Sequence, residues 1–565
     1  MSEDCAALEA FGLGAVMAGR GQAAEAAHHY RRALMFDPGF VEARYNLANL
    51  YQRANMLEEA EHHYRLIPSG HPLAPQGICN LGYVLARRNQ LTEAERCFTQ
   101  ALAADNRLAS ARHGLGLVCS QQGRHGEAIG HFQWLLASTP DVKEARTCLA
   151  MALAESGNIQ AAVVQWRLVV HERPDDSEAR TRLGQVLVRL GAWEEGERHL
   201  RRALDLEPDV AVRHSNLGLM LQRSNRLGEA IAAYRSALVI EPDNVAIRVS
   251  LATALLGRGD LAEGWESFEA RLDDKDSVLR RLTPPGPLWD GSPPRGRPIL
   301  VYPEQDPRDT IQFVRYLSLL TELGAAVVLA APPDLMPLLS TIEGLSELVS
   351  TTAPLPVYAA HLPLLSLPHR FRTTLDTIPA PIPYLTAEDR LVRHWAGRLQ
   401  AYTAVMRVGI VWQGGLSTVE DDNGSIPLAA LAELTRVPGI VLFALQAGGD
   451  RESPHRVPSD LPIVDLGPEL NDDNGLFMAA AAVMVNLDLV VTVDTAIAHL
   501  AGALGVPVWI LLSYACDWRW LAGRADSPWY PTVRLFRQPC AGDWSTAMTA
   551  ITRALRDMAA GISLP

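Results

Sequence analysis

The sequence predicts a two-part α plus α/β protein: an all-helical solenoid followed by two lobes in which strands and helices alternate. Three observations predict it. A 34-residue pattern runs eight times through the first half in unbroken register; a Pro- and Gly-rich break spans Thr283–Pro298; and beyond it the period vanishes and short β-rich runs alternate with helical ones. A chain of 565 residues is too long for one core, so several domains are expected. The boundaries read as 7–278 for the solenoid, 279–298 for a connector, 299–400 for a first lobe and 401–565 for a second.

Each repeat carries a Leu-Gly or Leu-Ala pair, from Leu13-Gly14 to Leu251-Ala252. A small residue follows: Ala26, Ala60, Ala94, Ala128, Ala162, Gly196, Ala230 and Gly264. Four further on stand Tyr30, Tyr64, Phe98, Phe132, Trp166, Leu200, Tyr234 and Phe268. The small residue lets two helices approach, and the large one fills the gap against the next repeat. Pro38, Pro72, Pro140, Pro174, Pro208 and Pro242 cannot continue a helix and mark repeat ends. This pattern resembles the tetratricopeptide repeat, two antiparallel helices per unit. The resemblance implies a solenoid with a concave groove that holds another chain.

The connector, with Pro284, Pro285, Pro287, Pro293, Pro294 and Pro298, is stiff and non-helical, with Trp289 packed on a neighbour. Strands are then expected at Ile299–Tyr302, Ala326–Ala330 and weakly at Leu348–Val349, with helices over Thr310–Leu323 and Asp334–Leu339. A Pro-rich stretch, Pro354–Pro383, interrupts. In the second lobe, strands are expected at Arg407–Trp412, Ile440–Ala444, Leu489–Val493 and Val508–Leu512. Helices are expected at Ala387–Leu399, Leu428–Thr435, Asn474–Met484, Ala496–Leu504 and from Trp544 to Ala559. Alternation of this kind implies parallel sheets, with ligand crevices at the carboxyl ends of their strands.

The net charge of −13 argues against a nucleic-acid partner. Seven scattered cysteines, none at metal-ligand spacing, argue against both a disulfide framework and a metal site. No signal peptide is visible at Met1-Ser-Glu-Asp-Cys, and no uncharged apolar run approaches the roughly 20 residues that cross a bilayer. A reduced cytoplasmic setting is expected, with no cofactor.

The most specific stretch runs from Asp494-Thr495-Ala496 through His499 to Gly505 and Pro507, joining a buried strand to a helix. Thr495 is placed to cap that helix, whose free N–H groups suit phosphate. Asp494 suits a loop or a sugar hydroxyl better. An ordinary strand–helix–strand unit with a good cap would look the same.

Together with Trp518-Arg-Trp-Leu and Ser527-Pro-Trp-Tyr-Pro-Thr-Val-Arg-Leu-Phe-Arg, this stretch resembles bacterial repeat-bearing glycosyltransferases. These are similar to lipopolysaccharide heptosyltransferases and to protein O-GlcNAc transferases. The resemblance implies a transferase domain of the GT-B kind, with two Rossmann-like lobes. The second lobe would bind a nucleotide-sugar donor at Asp494, Thr495 and Ala496. His499 would either contact the donor or pack on the next strand. Gln446 matches a family glutamine near the nucleotide, and Trp412 a tryptophan lining the cleft. Asp309-Thr310-Ile311-Gln312-Phe313 matches a first-lobe motif whose aspartate is the general base in the heptosyltransferase branch, with Gln312 on the donor side. A cleft carboxylate of raised pKa suits that task; equally, Asp309 could cap its helix.

Three departures stand out. The family's Gly-x-Gly-Asp turn is Asp306-Pro307-Arg308-Asp309 here, after Gln305. Gly424 replaces a basic residue before Ser425-Ile-Pro-Leu, behind the acidic loop Gly415–Asn423, and Ala447 replaces a lysine after Leu-Gln. Arg308, Arg451 or Arg519 could compensate. In the O-GlcNAc branch an asparagine before each Leu-Gly pair lines the groove and grips a peptide backbone; here only Asn46, Asn80 and Asn216 hold that position. Two functions follow: an inverting transferase acting on a protein held by the repeats, or a repeat scaffold with a degenerate transferase domain. The repeats suit a flagellar or surface protein as acceptor, the heptosyltransferase likeness a lipid-linked one.

Overall fold

The computed structural model describes residues 3–139, 143–274, 282–304, 306–379, 381–402, 406–414, 424–446, 457, 461–470 and 475–562. The chain divides into two compact units, Met1–Glu207 and Pro208–Pro565. The division falls inside the repeat array, so the second unit holds the last two repeats together with both lobes.

In the first unit six repeats fold as helix pairs, from Glu3–Gly19 and Ala23–Phe36 to Ser177–Arg189 and Trp193–Leu206. Ala26, Ala60, Ala94, Ala128 and Ala162 are wholly buried, as are the rings of Phe98 and Phe132. The large residue packs on its own repeat as well as on the next. A Cβ on Gly116 would stand 2.5 Å from the Phe132 ring of the same repeat, and one on Gly114 would stand 2.3 Å from Phe98 of the preceding one. The Leu-Gly pair is therefore a seat for an aromatic ring.

A further regularity lies in the turn between paired helices. Gly21, Asn55, Asn89, Gly123, Gly157 and Gly191, each 34 positions apart, all take positive φ, and Asn225 and Gly259 continue the series in the second unit. Glycine and asparagine are the residues that reach the left-handed region at low cost.

In the second unit the last repeats (Ala211–Arg223 with Leu227–Ile240, and Val245–Arg258 with Leu261–Phe268) run into a 3₁₀ turn, Glu269–Asp273. That turn anchors the array to the first lobe. Buried Arg271 donates to Glu304 at 2.6 Å, to Glu269 at 2.8 Å and to Ser366 Oγ at 3.0 Å. The Ala522 amide donates to the Gly257 carbonyl at 2.8 Å, and Trp265 meets Trp518 edge-on at 5.2 Å. The connector is not a free spacer: Trp289 is buried, and its amide donates to the His361 carbonyl at 2.9 Å.

The first lobe is a parallel four-stranded sheet, order β3-β2-β1-β4, with β1 Pro298–Tyr302, β2 Ala326–Ala331, β3 Leu345–Ser350 and β4 Ala360–Pro363. The second is a parallel six-stranded sheet, order β10-β9-β8-β5-β6-β7. Its strands are β5 Met406–Val411, β6 Ile440–Ala444, β7 Ile463–Asp465, β8 Leu489–Val493, β9 Val508–Leu512 and β10 Val533–Arg537. Three strands were not expected: β4, inside the Pro-rich stretch, and β7 and β10. The helix expected over Thr310–Leu323 is broken, with Pro307–Phe313, a 3₁₀ turn Val314–Tyr316, and Leu317–Glu322. Strand order reverses between β1 and β4 in one sheet and between β5 and β8 in the other, and such switch points open crevices at strand carboxyl ends.

Candidate functional site

The two switch points bring the predicted residues together. After β1 the chain enters helix Pro307–Phe313, which packs directly on helix Ala496–Ala503 following β8. Proline at the first helical position fits, because its missing N–H has no intrahelical acceptor there. The N-cap is Asp306, whose Oδ1 accepts from the Arg308 amide at 2.8 Å. Asp309 is therefore not the cap, and its carboxylate is free for other work.

Asp309 is 8% exposed and forms an ion pair with the Arg519 guanidinium. Arg519 also holds Asp517 at 2.8 Å. Arg308 holds Asp306 at 2.7 Å and reaches Asp494 at 3.7 Å. Four carboxylates thus surround two guanidiniums. Burial pushes the Asp309 pKa up, the Arg519 charge opposes it, and neighbouring carboxylates add to the rise. Burial and the charge of Asp517 push Asp494 up to about 6, against the pull of Arg308. The arginines predicted as compensators, Arg308 and Arg519, are both in the site; Arg451 lies outside the described residues.

Thr495 stands at the N-cap of helix Ala496–Ala503 but makes no side-chain cap; its hydroxyl pairs with Thr492 Oγ1 at 3.1 Å. This corrects the expected cap. Ala496 is the first helical residue. His499, wholly buried one turn in, bonds the Tyr530 hydroxyl through Nδ1 at 2.9 Å and stacks on Trp520 at 4.9 Å. Burial, then the charges of Arg519 and Arg308, hold its pKa far below the usual histidine value, so the ring is neutral.

The remaining candidates are placed less directly. Gln312 is wholly buried beside the interlobe contact, and neither end of its amide has a hydrogen-bond partner among the described residues. Trp412 does not line an open cleft: it is 1% exposed in the apolar core of the second lobe, among Ile410, Ile426 and Trp509. Gln446 Oε1 accepts from the Gln413 amide at 3.3 Å, joining the ends of β5 and β6. Gln305, the loop 415–423 and Ala447 lie outside the described residues, so of the three departures only the one at Ala447 falls wholly outside them, while Gly424 and Asp306–Asp309 are described. Of the groove asparagines, Asn80 donates to Asn49 at 3.0 Å and to Tyr45 at 3.3 Å, and Asn46 bonds Tyr30. Asn216 also has an interaction of its own. Among the described residues no group of three or more histidine, cysteine or acidic side chains is arranged to hold a metal, and no helix is long and apolar enough to cross a membrane.

Asp517, Trp520 and Tyr530 were missed as site residues. The Trp518-Arg-Trp and Ser527-Pro-Trp-Tyr motifs carried the signal, since both were conspicuous runs of aromatic residues without an assigned task.

Fold and site together define a helical-repeat protein joined to a two-lobed, parallel-sheet domain of the GT-B kind. The model for glycosyltransferase family 9 (heptosyltransferase) matches residues 429–514, and tetratricopeptide-repeat models match 17–76, 73–141, 120–169, 147–211 and 215–277. The chain is 28% identical over 334 residues to protein FlbA of Caulobacter vibrioides, an alignment that takes in 55% of this chain and 54% of that protein. The chain thus spans about half the length of the curated relative it matches. Among solved structures it is similar to a tetratricopeptide-repeat protein from Parabacteroides merdae (16% identity, TM-score 0.37, 44% of this chain and 99% of that one). It is also similar to a thermophilic one from Thermus thermophilus (25% identity, TM-score 0.28, 32% and 99%). The family models and the FlbA alignment support a tetratricopeptide-repeat glycosyltransferase family: the repeats fill the first half of the chain, and residues 429–514 of the second lobe match glycosyltransferase family 9.

Proposed function

We propose that the protein is an inverting glycosyltransferase that moves a sugar from a nucleotide-sugar donor to a protein held by the repeats. The observation that carries this is the meeting of Asp309 with the Asp494–His499 turn at the switch points of two parallel sheets. Asp309 is the base. Its raised pKa keeps it able to take the acceptor hydroxyl's proton as that oxygen attacks the anomeric carbon. The bond from that carbon to the diphosphate breaks in the same step, and the nucleoside diphosphate leaves with the electron pair. Arg519 holds the carboxylate in place, and Arg308 reaches the donor turn at Asp494. Asn46 and Asn80 grip the acceptor backbone, exchanging hydrogen bonds they now make within the repeats.

A second function, a scaffold whose transferase domain binds without turnover, is favoured by one observation. Four carboxylates face two guanidiniums, so a dianionic diphosphate meets excess negative charge, and losing one stabiliser of such a group costs about a hundred- to a thousand-fold in rate. Asp309→Asn separates the two. The transferase loses glycosylation of its partner protein in cells; unchanged glycosylation rules Asp309 out as base.

A further inference from the structure

A cavity of about 410 Å³ lies between the last repeat helix, Leu261–Phe268, the connector at Asp290 and the first-lobe segment around Arg370. None of the residues assigned above to catalysis or donor binding lines it. Its volume is that of a small-molecule site. Trp265 lines it, 1% exposed, and the Nε1 of that indole has no hydrogen-bond partner among the described residues. The same holds for Nε of Arg370, whose Nη2 stands 3.9 Å from Glu269. Both groups can only donate, and buried donors without acceptors are costly. Arg372, also on the cavity, has a φ of 51°. A long side chain held in the left-handed region is strained, and such strain collects at ligand sites.

The charges on the walls select the occupant. Glu266 and Asp290 line the cavity with Arg370 and Arg372, two carboxylates against two guanidiniums. Asp290 accepts from the Ser292 amide at 2.9 Å. The side chains of Arg372 and Glu266 make no hydrogen bond or ion pair among the described residues, so one cation and one anion are left over. A bare phosphate or carboxylate would satisfy the donors but face two like charges. A bare amine would suit the carboxylates and leave the indole and guanidinium donors unmet. A zwitterion answers both. We propose that this cavity is a second ligand site, which binds a free amino acid or a dipeptide. Arg372, with the N–H groups of Trp265 and Arg370, takes the carboxylate, and Glu266 takes the ammonium. Trp265 is also the partition toward the transferase site: its ring meets Phe313, in the helix of Asp309, at 5.7 Å and Trp518, next to Arg519, at 5.2 Å. The site needs no assumption about the reaction.

The test is calorimetric titration of the full chain with the common amino acids and glycylglycine. The tightest binder is then compared with its N-acetyl form, its decarboxylated amine and inorganic phosphate. Wild type should bind one zwitterion saturably. Losing either charge of the ligand should weaken binding about ten- to a hundred-fold, the range for a hydrogen bond to a charged group. Arg372 and Glu266 are both exposed, and glycine suits the left-handed backbone, so Arg372→Gly and Glu266→Gln should fold. Arg372→Gly should lose the preference for the acid over the amine, and Glu266→Gln the preference for the ammonium over its N-acetyl form. Phosphate or the N-acetyl form binding as tightly as the zwitterion overturns the proposal. Discrimination that survives in both variants overturns it too, because the ligand then sits elsewhere. No binding of any amino acid or of glycylglycine overturns it outright, and the wild-type series decides even where a variant fails to fold.

Discussion

Replacing Asp494 by asparagine should stabilise the protein at neutral pH, because the site holds this carboxylate against its preference. Its side chain is 22% exposed, and burial with the nearby Asp517 charge raises its pKa from 3.8 to about 6. Each unit is worth about 1.4 kcal/mol, so ionising Asp494 in the folded state costs about 3 kcal/mol more than in the unfolded chain. The folded pKa lies above the unfolded one. The folded state therefore holds its proton while the unfolded chain has lost it, and stability falls as pH rises from 3.8 to about 6 and is flat above. Asparagine has nearly the shape of the protonated acid and does not titrate. Urea denaturation of both proteins, followed by tryptophan fluorescence between pH 4 and 8, reads the difference directly, since other groups cancel. The variant should be more stable by about 3 kcal/mol above pH 7, with the gap closing toward pH 4. A gap independent of pH, or a variant less stable at pH 7.5, would refute the reasoning. The expected trade is stability gained for ligand affinity lost, as at other strained functional sites.

Other outcomes follow from the packing and the ion pairs. Gly116→Ala puts a methyl 2.5 Å from the wholly buried Phe132 ring. Overpacking at about 1–3 kcal/mol outweighs the gain of about 1 kcal/mol in helix propensity, so the melting temperature of the repeats should fall; a rise contradicts the aromatic seat. Arg271→Met leaves Glu304 without its closest guanidinium and should cost about 3–5 kcal/mol in denaturant titration; a cost below about 1 kcal/mol would mean that the anchor is solvated. Burial, then the charges of His62 and Arg44, lower the His63 pKa from 6.5 to about 4. Because the folded value is the lower one, stability is full above pH 6.5 and is lost as pH falls toward 4. His63→Gln should remove about 1 kcal/mol of that loss after allowance for partial solvent exposure, measured by circular-dichroism melting at pH 4.5 and 7.5.

The repeats were legible because each is built from local geometry: a small residue, a ring four positions on, and a proline at the end. The left-handed Gly or Asn of each turn between paired helices was equally periodic in the sequence and went unread. The buried strands β1, β2, β6 and β9 are continuous apolar runs, β5 and β8 are broken only by Arg407 and Thr492, and all six stood out. β4 did not, since Ala360–Pro363 contains His361 and sits among prolines, and only pairing with β1 makes it a strand. β7 has three residues, too few for any pattern, and β10 carries Arg534 and Arg537. At the site, the motifs identified the turns but not their partners. Arg519 lies 210 positions from Asp309, so no spacing announces their pair. Thr495 carried a good cap residue's identity, yet the hydroxyl of Thr492, three positions earlier at the end of β8, took its own. Trp412 was expected to close its strand, but β5 ends at Val411, and the Trp412 ring just beyond it turns into the core instead of the cleft.

The central claim, that the second lobe still holds an activated sugar, is tested most directly by a thermal-shift panel of nucleotide sugars and free nucleotides against the full chain. A ligand at a hundred times its dissociation constant stabilises by about 2.7 kcal/mol. The account predicts a shift of several degrees with one nucleotide class, at roughly 2–4 °C per kcal/mol for a domain of this kind, lost in Asp494→Ala. No shift with any nucleotide at millimolar concentration would contradict it and leave a repeat scaffold.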